Sequence, residues 1–501
     1  MKKYLILLFA LVAIPSFAQN AKSVEGVVKT TENEVVPFAS VYWIESGTYV
    51  DCDENGKFTI KRKSKDQTLA VAALGYDNDT LVVAEDVHFV EFFLKSQNYL
   101  QEAVVVARDQ GNFLSKMTPV KTEVISAAGL CKMACCNLAE SFENSASVTV
   151  GYSDAVTGAR QIRLLGLSGI YTTMLDENRP IMRGIAAPFG LSYIPGQWLE
   201  SIQVAKGPSS VINGVDAITG QINMEHRKPT DEKPFFLNLF LSSTLRTEMN
   251  IASSLQLNNK WSTVILAHAS TDPMKHDGNG DGFRDDPTSM QFNFANRWLY
   301  YDESGLQVRF GVKALYDDRT GGQMDYNKSY ISDIKESGSK YFPGTTNIIP
   351  WGTNIVNKSI NGYFKVGIPL NADNSHNIAA VGDYTFYQMD SYFGLKSYFG
   401  KQNSGFLNII YQGELNENHR INFGVRNFYD NYNESLFDMM ERDGVINSDN
   451  LLGSPVRVEN SVGAYGEYTY TLGEKFSAIG GLSVDYHNLY GLMVSPRANI
   501  K

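Results

Sequence analysis

The stretch that decides the fold is WLESIQVAKGPSSVINGVDAITGQINME, residues 198–225. Its first part, Leu199 to Val204, alternates apolar and polar side chains as a short strand does, and its last part, Ala217 to Met224, also has the character of a strand. Between them the chain is broken twice, by turn residues that begin at Lys206 and again at Asn213-Gly214. Glycines at 207, 214 and 220 permit tight turns that other side chains would strain. The stretch therefore predicts a small, turn-dense α+β unit.

The order of these residues is similar to the signature that ends the plug domain of TonB-dependent outer-membrane receptors. In that family a KGP turn is followed by spaced glycines and an Ile-Asn pair. Thr219 stands where the family usually has the first of two glycines, and Gln221 replaces an apolar residue. The alternative, from the residues alone, is another glycine-rich α/β turn. The plug-motif residues that carry the resemblance are Lys206, Gly207, Pro208, Gly214, Gly220 and Asn223.

The N-terminus has the three parts of a secretory signal peptide, which we assign to residues 1–18. Lys2-Lys3 precede the apolar run Tyr4 to Ile14, and the small-residue pattern Ser16-Phe17-Ala18 follows it. The apolar run is too short for a permanent membrane helix, and no later stretch approaches the ~20 apolar residues that such a helix needs. We therefore predict export from the cytoplasm without a membrane helix.

The bulk composition fits an exported β protein. The chain is 43% hydrophobic, with a formal net charge of −10, 27 Tyr, 27 Phe and 42 Gly. These values are compatible with a membrane β-barrel, because only every second strand residue faces lipid. The acidic balance makes nucleic acid an unsuitable partner.

Residues 19–97 alternate through six short predicted strands, which favours a β-sandwich. The strands are Val24 to Val28, Phe38 to Ile44, Lys57 to Ile60, Leu69 to Ala73, Thr80 to Val83 and Val90 to Leu94. The phrases VEGVV, PFASVYW, DENGKFTI and ALGYDNDTLVV resemble the carboxypeptidase regulatory-like domain that precedes such receptors in Bacteroidetes-type bacteria. The resemblance implies a periplasmic accessory module without catalytic residues.

Residues 98–119 contain an acidic residue followed by a β-prone run. From the residues alone, this run is either the last strand of the sandwich or a separate segment. Its position between accessory domain and plug resembles the TonB box, which implies β-augmentation of an energy-transducing TonB-type partner. The residues of this predicted coupling segment are Leu100, Gln101, Glu102, Ala103, Val104, Val105, Val106 and Ala107.

Residues 120–230 are assigned to the plug. Thr122 to Ile125 predicts a strand, Ser126 a cap for a short helix, and Asn137 a cap for a second helix from Leu138 to Glu143. Further strands are predicted at Ser147 to Val150, Arg160 to Gly166 and Tyr171 to Leu175, before the turn Asp176 to Pro180. Leu165 and the turn sequence LDENRP depart from the family pattern, so family roles at those positions do not transfer.

Residues 231–501 have the sequence pattern of a transmembrane antiparallel β-barrel. In Leu306 to Tyr316 one face is almost wholly apolar and the other holds Gln, Arg, Gly and Lys, as in a lipid-facing strand. Polar segments at Asp317 to Thr353 and Asn431 to Val456 are predicted external loops. Further strands are predicted at Ile360 to Ile368, Gly405 to Gly413, Ile421 to Tyr429, Val462 to Tyr470 and Phe476 to Tyr486.

The number of strands is half of what the resemblance implies. At ~9 to 11 residues per strand plus loops, residues 234–501 hold about a dozen strands. The family barrel has ~22 strands around its plug. We therefore expect this chain to hold roughly the first half of a barrel, as a fragment or a truncated gene product.

Two residue groups can hold metal ions. The sequence CKMACC places Cys131, Met133, Cys135 and Cys136 together, and thiolate with thioether is a soft donor set suited to copper(I). The alternative is that the cysteines are small residues filling a bend between two plug helices, with a disulfide nearby.

The second group is an acidic loop in the barrel region. Asp277, Asn279, Asp281 and Asp285 place oxygen atoms at alternate positions, as calcium loops do. Thr288 stands where an EF-hand has its bidentate Glu, so the loop is not an EF-hand. The alternative is a solvated acidic loop tip, and no cofactor beyond this Ca²⁺ is predicted.

The sequence as a whole predicts an outer-membrane receptor that takes up a scarce solute, such as a metal ion or a metal chelate of the siderophore type, in TonB-coupled fashion. Its partners would be a TonB-type protein, outer-membrane lipid and the small solute. A receptor that senses a ligand without passing it is the alternative, and a periplasmic enzyme is a third class. The chain has no HExxH zinc-protease spacing, nucleophile elbow or phosphate loop, so we predict no enzyme activity.

Overall fold

The structure is a computed structural model. It describes residues 23–31, 33–73, 76, 78–95, 112–114, 122–132, 137–142, 145, 147–208, 210–214, 216–230, 234–337, 341, 347–371, 373–438, 441–442, 445–446, 451–473 and 476–501. Contacts divide the chain into two units, Met1–Val106 and Ala107–Lys501.

The first unit contains two small sheets that pack around one core. β1 pairs with β4 antiparallel and with β7 parallel, and the second sheet has the order β3-β2-β5-β6. Trp43, Leu69 and Phe92 are fully buried between the sheets. The predicted β-sandwich is confirmed, with β3 as a strand that the sequence pattern did not reveal. The strands are β1 (Ser23–Thr30), β2 (Ser40–Trp43), β3 (Tyr49–Asp51), β4 (Lys57–Lys61), β5 (Thr68–Ala72), β6 (Asp79–Val82) and β7 (Phe89–Leu94).

The second unit begins with a middle domain built on a six-stranded sheet of order β14-β13-β16-β15-β9-β8. β13 and β16 run parallel, whereas β15 pairs antiparallel with β16 and β9. Leu138, Leu164, Ile202 and Ile222 form its buried core. The elements are β8 (Asn112–Leu114), β9 (Thr122–Ser126), α1 (Ala127–Lys132), β10 (Val148–Tyr152), β11 (Arg160–Leu164), β12 (Leu167–Ser168), β13 (Thr172–Asp176), β14 (Arg179–Pro180), β15 (Leu199–Lys206) and β16 (Gly220–His226).

One helix prediction in the middle domain is confirmed and one is wrong. Ser126 caps α1, since its Oγ accepts from the Gly129 N–H at 3.3 Å. Asn137 also caps, accepting from Glu140 N at 3.2 Å, but the described residues after it, up to Phe142, contain only the 3₁₀ turn Glu140–Phe142. The N–H groups of Leu138 and Ala139 are bound instead to carbonyls of residues 194 and 191, which holds the segment against the core.

Most of the rest of the second unit, as far as it is described, is a 13-stranded antiparallel sheet in which every strand except β28 lies on one continuous path, and β26 and β27 form a separate two-stranded sheet. No helix in the described residues is long and apolar enough to cross a membrane. The elements are β17 (Phe235–Leu241), β18 (Thr247–Gln256), β19 (Trp261–Asp272), β20 (Thr288–Tyr301), β21 (Gln307–Gly322), α2 (Tyr330–Ser337), β22 (Gly352–Pro369), β23 (His376–Phe393), β24 (Lys396–Asn416), β25 (His419–Asp438), β26 (Glu441–Arg442), β27 (Val445–Ile446), β28 (Leu451–Gly453), β29 (Val456–Leu472), β30 (Phe476–His487) and β31 (Gly491–Ile500).

The large sheet has two chemically different faces, as its alternation predicts. On β21, Phe310 and Val312 are exposed on one face, whereas Lys313 and Asp317 lie on the other. Lys313 bonds to Asp176 of the middle domain, and Asp317 accepts from Asn357 on β22. The connections also differ between the two ends of the sheet. Short turns such as 302–306 lie at one end, and the longer connection from β21 to β22, which contains α2, lies at the other.

The strands of the sheet extend further than their amphipathic segments predict. β21 continues through Asp317 to Gly322, and β25 continues to Asp438, into both segments that were predicted as loops. The β21 extension holds only polar residues and glycine, and the β25 extension is mostly polar apart from Tyr432, Leu436 and Phe437, so the alternation that marks a lipid-facing strand is weak there. Pairing with the neighbouring strand continues nonetheless, for example between Asp317 and Asn357.

Candidate functional site at the contact between the middle domain and the large sheet

The KGP turn connects β15 to β16 through backbone conformations that favour glycine. Lys206 ends β15, and Gly207 follows with φ of 82° while its N–H donates to Thr219 O at 2.7 Å. Gly220 has φ of 146°, and a Cβ there would lie 2.1 Å from the carbonyl oxygen of Ala205. These glycines therefore shape the turn and contribute no polar side chain.

The segment after the turn binds the large sheet mainly through its backbone. Its 3₁₀ turn Val211–Asn213 is followed by Gly214 with φ of 99°. Glu467 on β29 accepts from the Ser210 hydroxyl at 2.6 Å and from Val211 N at 3.2 Å. Arg426 on β25 donates to Val211 O at 2.6 Å.

Two side chains of the last strand complete this contact. Arg497 donates to Ser210 O at 3.2 Å, and Asn499 donates to Pro208 O at 2.9 Å. We call the whole contact the KGP anchor, and it joins the middle domain to β25, β29 and β31. Its residues are Pro208, Ser210, Val211, Arg426, Glu467, Arg497 and Asn499.

A second contact begins at the hairpin that joins β13 to β14. Asp176 pairs with Arg179, so the loop contains only Glu177 and Asn178, with φ of 48° and 63°. Two left-handed residues are the geometry of a type I′ turn. The plug-motif residue Asn223 holds this turn, since its Oδ1 accepts from Asn178 N at 2.8 Å.

The hairpin carries buried charges that pair with charges on the sheet. The Asp176 carboxylate is bonded to Lys313 on β21, and its other oxygen lies 3.0 Å from Nε2 of His226. The Glu177 carboxylate is bonded to Arg297 on β20. Both carboxylates are almost completely buried.

Arg179 and Tyr363 complete the group. The Arg179 guanidinium lies 3.1 Å from Asp176 Oδ2, and its Cζ lies 3.7 Å from the centre of the Tyr363 ring on β22. Arg297 Nε donates to the Tyr363 hydroxyl at 3.0 Å. We call this group the hairpin cluster, and its residues are Asp176, Glu177, Arg179, His226, Arg297, Lys313 and Tyr363.

The electrostatics of the hairpin cluster keep its carboxylates ionised. Burial alone would raise the pKa of Asp176, but Lys313 and Arg179 hold that pKa well below its usual range. Burial opposes ionisation of Glu177 as well, and Arg297 again lowers the pKa. Burial and Lys313 lower the pKa of His226 against the pull of Asp176. At neutral pH the cluster therefore holds charged carboxylates and a neutral imidazole.

A third contact lies on the same face of the sheet and consists of a polar chain. Tyr193 of the middle domain meets the Tyr387 hydroxyl at 2.9 Å, and Tyr387 donates to Asn357 at 2.8 Å. Asn357 donates to Asp317 at 3.1 Å, and Arg319 pairs with Asp317 at 2.9 Å. The middle domain is therefore bonded to strands from β20 to β31.

The acidic loop lies at the long-loop end of the sheet, between β19 and β20. The Asp277 carboxylate accepts from the backbone N–H groups of residues 280, 281 and 282, and Asp285 accepts from that of 278. Asn279 Nδ2 donates to Asp281 at 3.0 Å. Within the described ranges no group of three or more His, Cys, Asp or Glu has a metal-binding arrangement. The calcium site remains a prediction.

Three predicted segments fall wholly or partly outside the described residues. The coupling segment Leu100 to Ala107 lies outside them, as does the signal peptide 1–18. Met133, Cys135 and Cys136 also lie outside, and Cys131 is placed on α1 by its backbone alone. Cys52, in the sandwich, is a buried free thiol.

Sequence reasoning missed the charged partners of the hairpin. Lys313 appears only as one of the polar residues on β21, and Arg297 on β20 was not singled out. Their signal is weak because any inward-facing strand position can be polar. The acidic turn LDENRP was a visible departure from the family pattern, but its partners are 120 and 137 residues away in sequence.

Comparison with known families identifies the N-terminal sandwich and the middle domain. Residues 24–106 match the model of a CarboxypepD_reg-like domain. Residues 115–221 match the model of the TonB-dependent Receptor Plug Domain. The chain carries a TonB-dependent receptor plug domain. The middle domain is this plug, and the sequence resemblance is confirmed for both domains.

Solved structures with the same fold are outer-membrane receptors and a transporter. The ferripyoverdine receptor of Pseudomonas aeruginosa superposes with a TM-score of 0.59 at 12% identity, over 79% of this chain and 57% of the receptor. The siderophore receptor PiuA of Acinetobacter baumannii gives 0.55 at 12%, over 77% and 61%. The copper transporter OprC gives 0.53 at 14%, over 79% and 61%. At such identities the likeness establishes the fold alone.

The chain spans between about half and two thirds of the length of these structures. Its large antiparallel sheet thus resembles part of a receptor barrel, in agreement with the predicted fold class. No curated protein sequence matches the chain.

Proposed function

We propose that this receptor takes up a scarce solute across the outer membrane in TonB-coupled fashion, and that the solute is a metal ion or a metal chelate such as a siderophore. The plug would occlude the path through the barrel until the energy-transducing partner acts on it. No bond in the cargo is broken, so the proposal requires no catalytic residue.

The observation that carries the proposal is the two-sided chemistry of the large sheet. Its outward face presents apolar side chains such as Phe310, Val312 and Ile360, each more than a third exposed. Its inward face holds the charged and hydroxyl groups that bind the plug, including Arg297 and Lys313. The apolar outward face suits contact with lipid, and the polar inward face suits the lumen of a barrel.

An aromatic band at the short-turn end supports a membrane location. Trp298 stacks on Phe310 with ring centroids 6.1 Å apart, and Trp261 lies 4.9 Å from the Tyr300 ring. Further along the same band, His376 bonds the Tyr411 hydroxyl at 2.8 Å. Aromatic girdles of this kind mark the membrane–water interface in outer-membrane barrels.

The cargo class rests on two independent lines. Structures that share the fold include siderophore receptors and a copper transporter. Separately, the soft donors Cys131, Met133, Cys135 and Cys136 lie close together in the plug sequence. Both favour a metal or its chelate over a glycan.

The partner would be a TonB-type periplasmic protein that pairs with the β-prone segment Leu100 to Ala107. Such a segment offers backbone donors and acceptors to the edge of a partner sheet. Its position in the sequence directly before the plug suits it to transmit a pull to the plug.

Uptake of labelled metal or metal chelate by cells that carry the protein in their outer membrane tests the proposal. Cells would receive radiolabelled copper, ferric hydroxamate or ferric catecholate chelates, with and without an uncoupler of the proton-motive force. We expect one of these to accumulate, the accumulation to stop with the uncoupler, and surface binding to persist. Binding that never leads to accumulation would instead support the sensing receptor.

A further inference from the structure

The charged side chains of the hairpin cluster are not needed to hold the hairpin within the plug. The hairpin is already bound within the plug by its backbone, since Glu177 N donates to Met224 O at 2.9 Å and Ile181 N donates to Met174 O at 3.0 Å. Its charged side chains point away from these bonds to β20, β21 and β22. The charges therefore serve the contact with the sheet.

The backbone of Glu177 supports the same conclusion independently. Its φ of 48° lies in the left-handed region, where glycine or asparagine is the less strained choice in a two-residue hairpin. A glutamate held in a strained conformation needs a compensating interaction. In the described part of the chain its carboxylate pairs with Arg297.

The KGP anchor differs from the hairpin cluster in kind. There the plug offers mostly backbone groups, so many plug sequences could make the same bonds. At the hairpin the plug offers two carboxylates and a guanidinium, and the sheet offers Lys313 and Arg297. Charge at fixed positions distinguishes one docking register from its neighbours, whereas repeated backbone groups do not.

Buried ion pairs contribute little net stability compared with apolar packing, but loss of one partner is costly. In the described residues Glu177 Oε2 and Arg179 Nη1 lack a hydrogen-bond partner, so the cluster is not saturated. A partly satisfied charged contact is a poor source of stability and an effective selector of position.

We propose that the hairpin from Asp176 to Arg179 is an electrostatic latch that fixes the docking register of the plug on β20–β22, with Glu177–Arg297 as its central pair. The latch acts on docking and holds for any cargo. It also holds for a receptor that senses its ligand without transport.

Hydrogen–deuterium exchange on the full chain in detergent tests the latch at the peptide that covers residues 172–180. We expect Glu177→Gln and Arg297→Gln each to speed exchange of this peptide at least ten-fold. The charge-exchanged pair, Glu177→Arg with Arg297→Glu, should return it to within about three-fold of the parent. Peptides from β24 and β25 should be unchanged throughout, which verifies that the sheet is folded.

Glu177→Gly separates the latch from backbone strain. Glycine relieves the left-handed conformation, so without a latch this variant should exchange as slowly as the parent or more slowly. With the latch it should exchange as fast as Glu177→Gln. The matched control is Asp302→Asn, which removes the exposed pair with Lys260 and should change nothing.

Slow exchange in Glu177→Gly, or failure of the charge-exchanged pair to restore protection, would overturn the latch. If Glu177→Gln does not fold, hydrogen–deuterium exchange of the same peptide in Arg297→Lys tests the latch instead. It keeps the charge but loses the guanidinium that also binds Tyr363 and the Arg227 carbonyl, so intermediate exchange supports the latch and parental exchange overturns it.

Discussion

Arg426 of β25 and Asp485 of β30 form a fully buried ion pair that also holds the backbone of the plug. Their Nη2 and Oδ2 atoms are 2.8 Å apart, and both side chains are at most 2% exposed. Nη1 of the same guanidinium donates to Val211 O at 2.6 Å. A Cβ on Gly463, between the two strands, would lie 1.9 Å from Asp485 Oδ1, so this glycine makes room for the carboxylate. A cross-strand contact within the sheet and the docking of the plug thus share one charged group.

Asp485→Asn should lower the free energy of unfolding by about 3–5 kcal/mol, because it leaves Arg426 buried without a counter-charge. Urea titration of the full chain in detergent measures this. The double variant Arg426→Met with Asp485→Leu should regain most of the loss, since it removes both charges. Asp302→Asn, at an exposed pair, should stay within about 0.5 kcal/mol, and an equally small effect of Asp485→Asn would contradict the prediction.

Val105→Pro should abolish energy-dependent uptake and leave ligand binding intact, because proline removes a backbone donor from the predicted coupling segment. Val105→Ala is the matched control, since it shortens the side chain but keeps the N–H. Accumulation of labelled cargo by cells at equal surface expression is the measurement. Unchanged accumulation in the proline variant would remove Leu100 to Ala107 as the coupling segment.

Calcium should protect the loop from Asp277 to Asp286 against proteases, and a chelator should raise cleavage there specifically. Asp277→Asn tests the role of the carboxylate. It keeps one acceptor for the backbone N–H groups of the turn but lowers the charge, so the loop should lose the calcium effect. A cleavage pattern that chelator leaves unaltered in the parent would favour a solvated acidic loop.

The reduced protein should bind copper(I) through the CKMACC segment, and the triple variant Cys131→Ser, Cys135→Ser, Cys136→Ser should lose this binding while keeping its fold. Cys52→Ala is the matched control and should bind as the parent does. Burial raises the pKa of the Cys52 thiol to about 12, with Asp51 and Asp53 adding to the shift, so this thiol is a poor metal ligand in the folded domain. Disulfides among the plug cysteines in the native protein, with no metal bound, would refute the copper prediction.

Local patterns in the sequence were sufficient for the fold class. The plug turn could be predicted because Gly207 and Gly220 adopt backbone conformations that favour glycine. The turn residues around them already indicate such conformations. The apolar face of β21 was readable because a strand alternates with a period of two, whatever its neighbours are. Ser126 as a helix cap was likewise a local feature.

Local patterns failed where a long-range contact made the decision. The segment after Asn137 was predicted as a helix, but its described residues form one 3₁₀ turn, and its first N–H groups bind carbonyls about 50 residues away. The outer ends of β21 and β25 were predicted as loops because these segments are rich in polar residues. They are strands because each has a partner to pair with, and no single segment encodes its partner.

The same division applies to the functional site. The sequence by itself determined that this chain carries an accessory sandwich, a plug and strands with one apolar face, because motif order and alternation are properties of neighbouring residues. Only the tertiary structure decided that Glu177 meets Arg297 and Asp176 meets Lys313. These pairs join residues 120 and 137 positions apart, and charge complementarity between them exists only once the plug hairpin lies against β20 and β21.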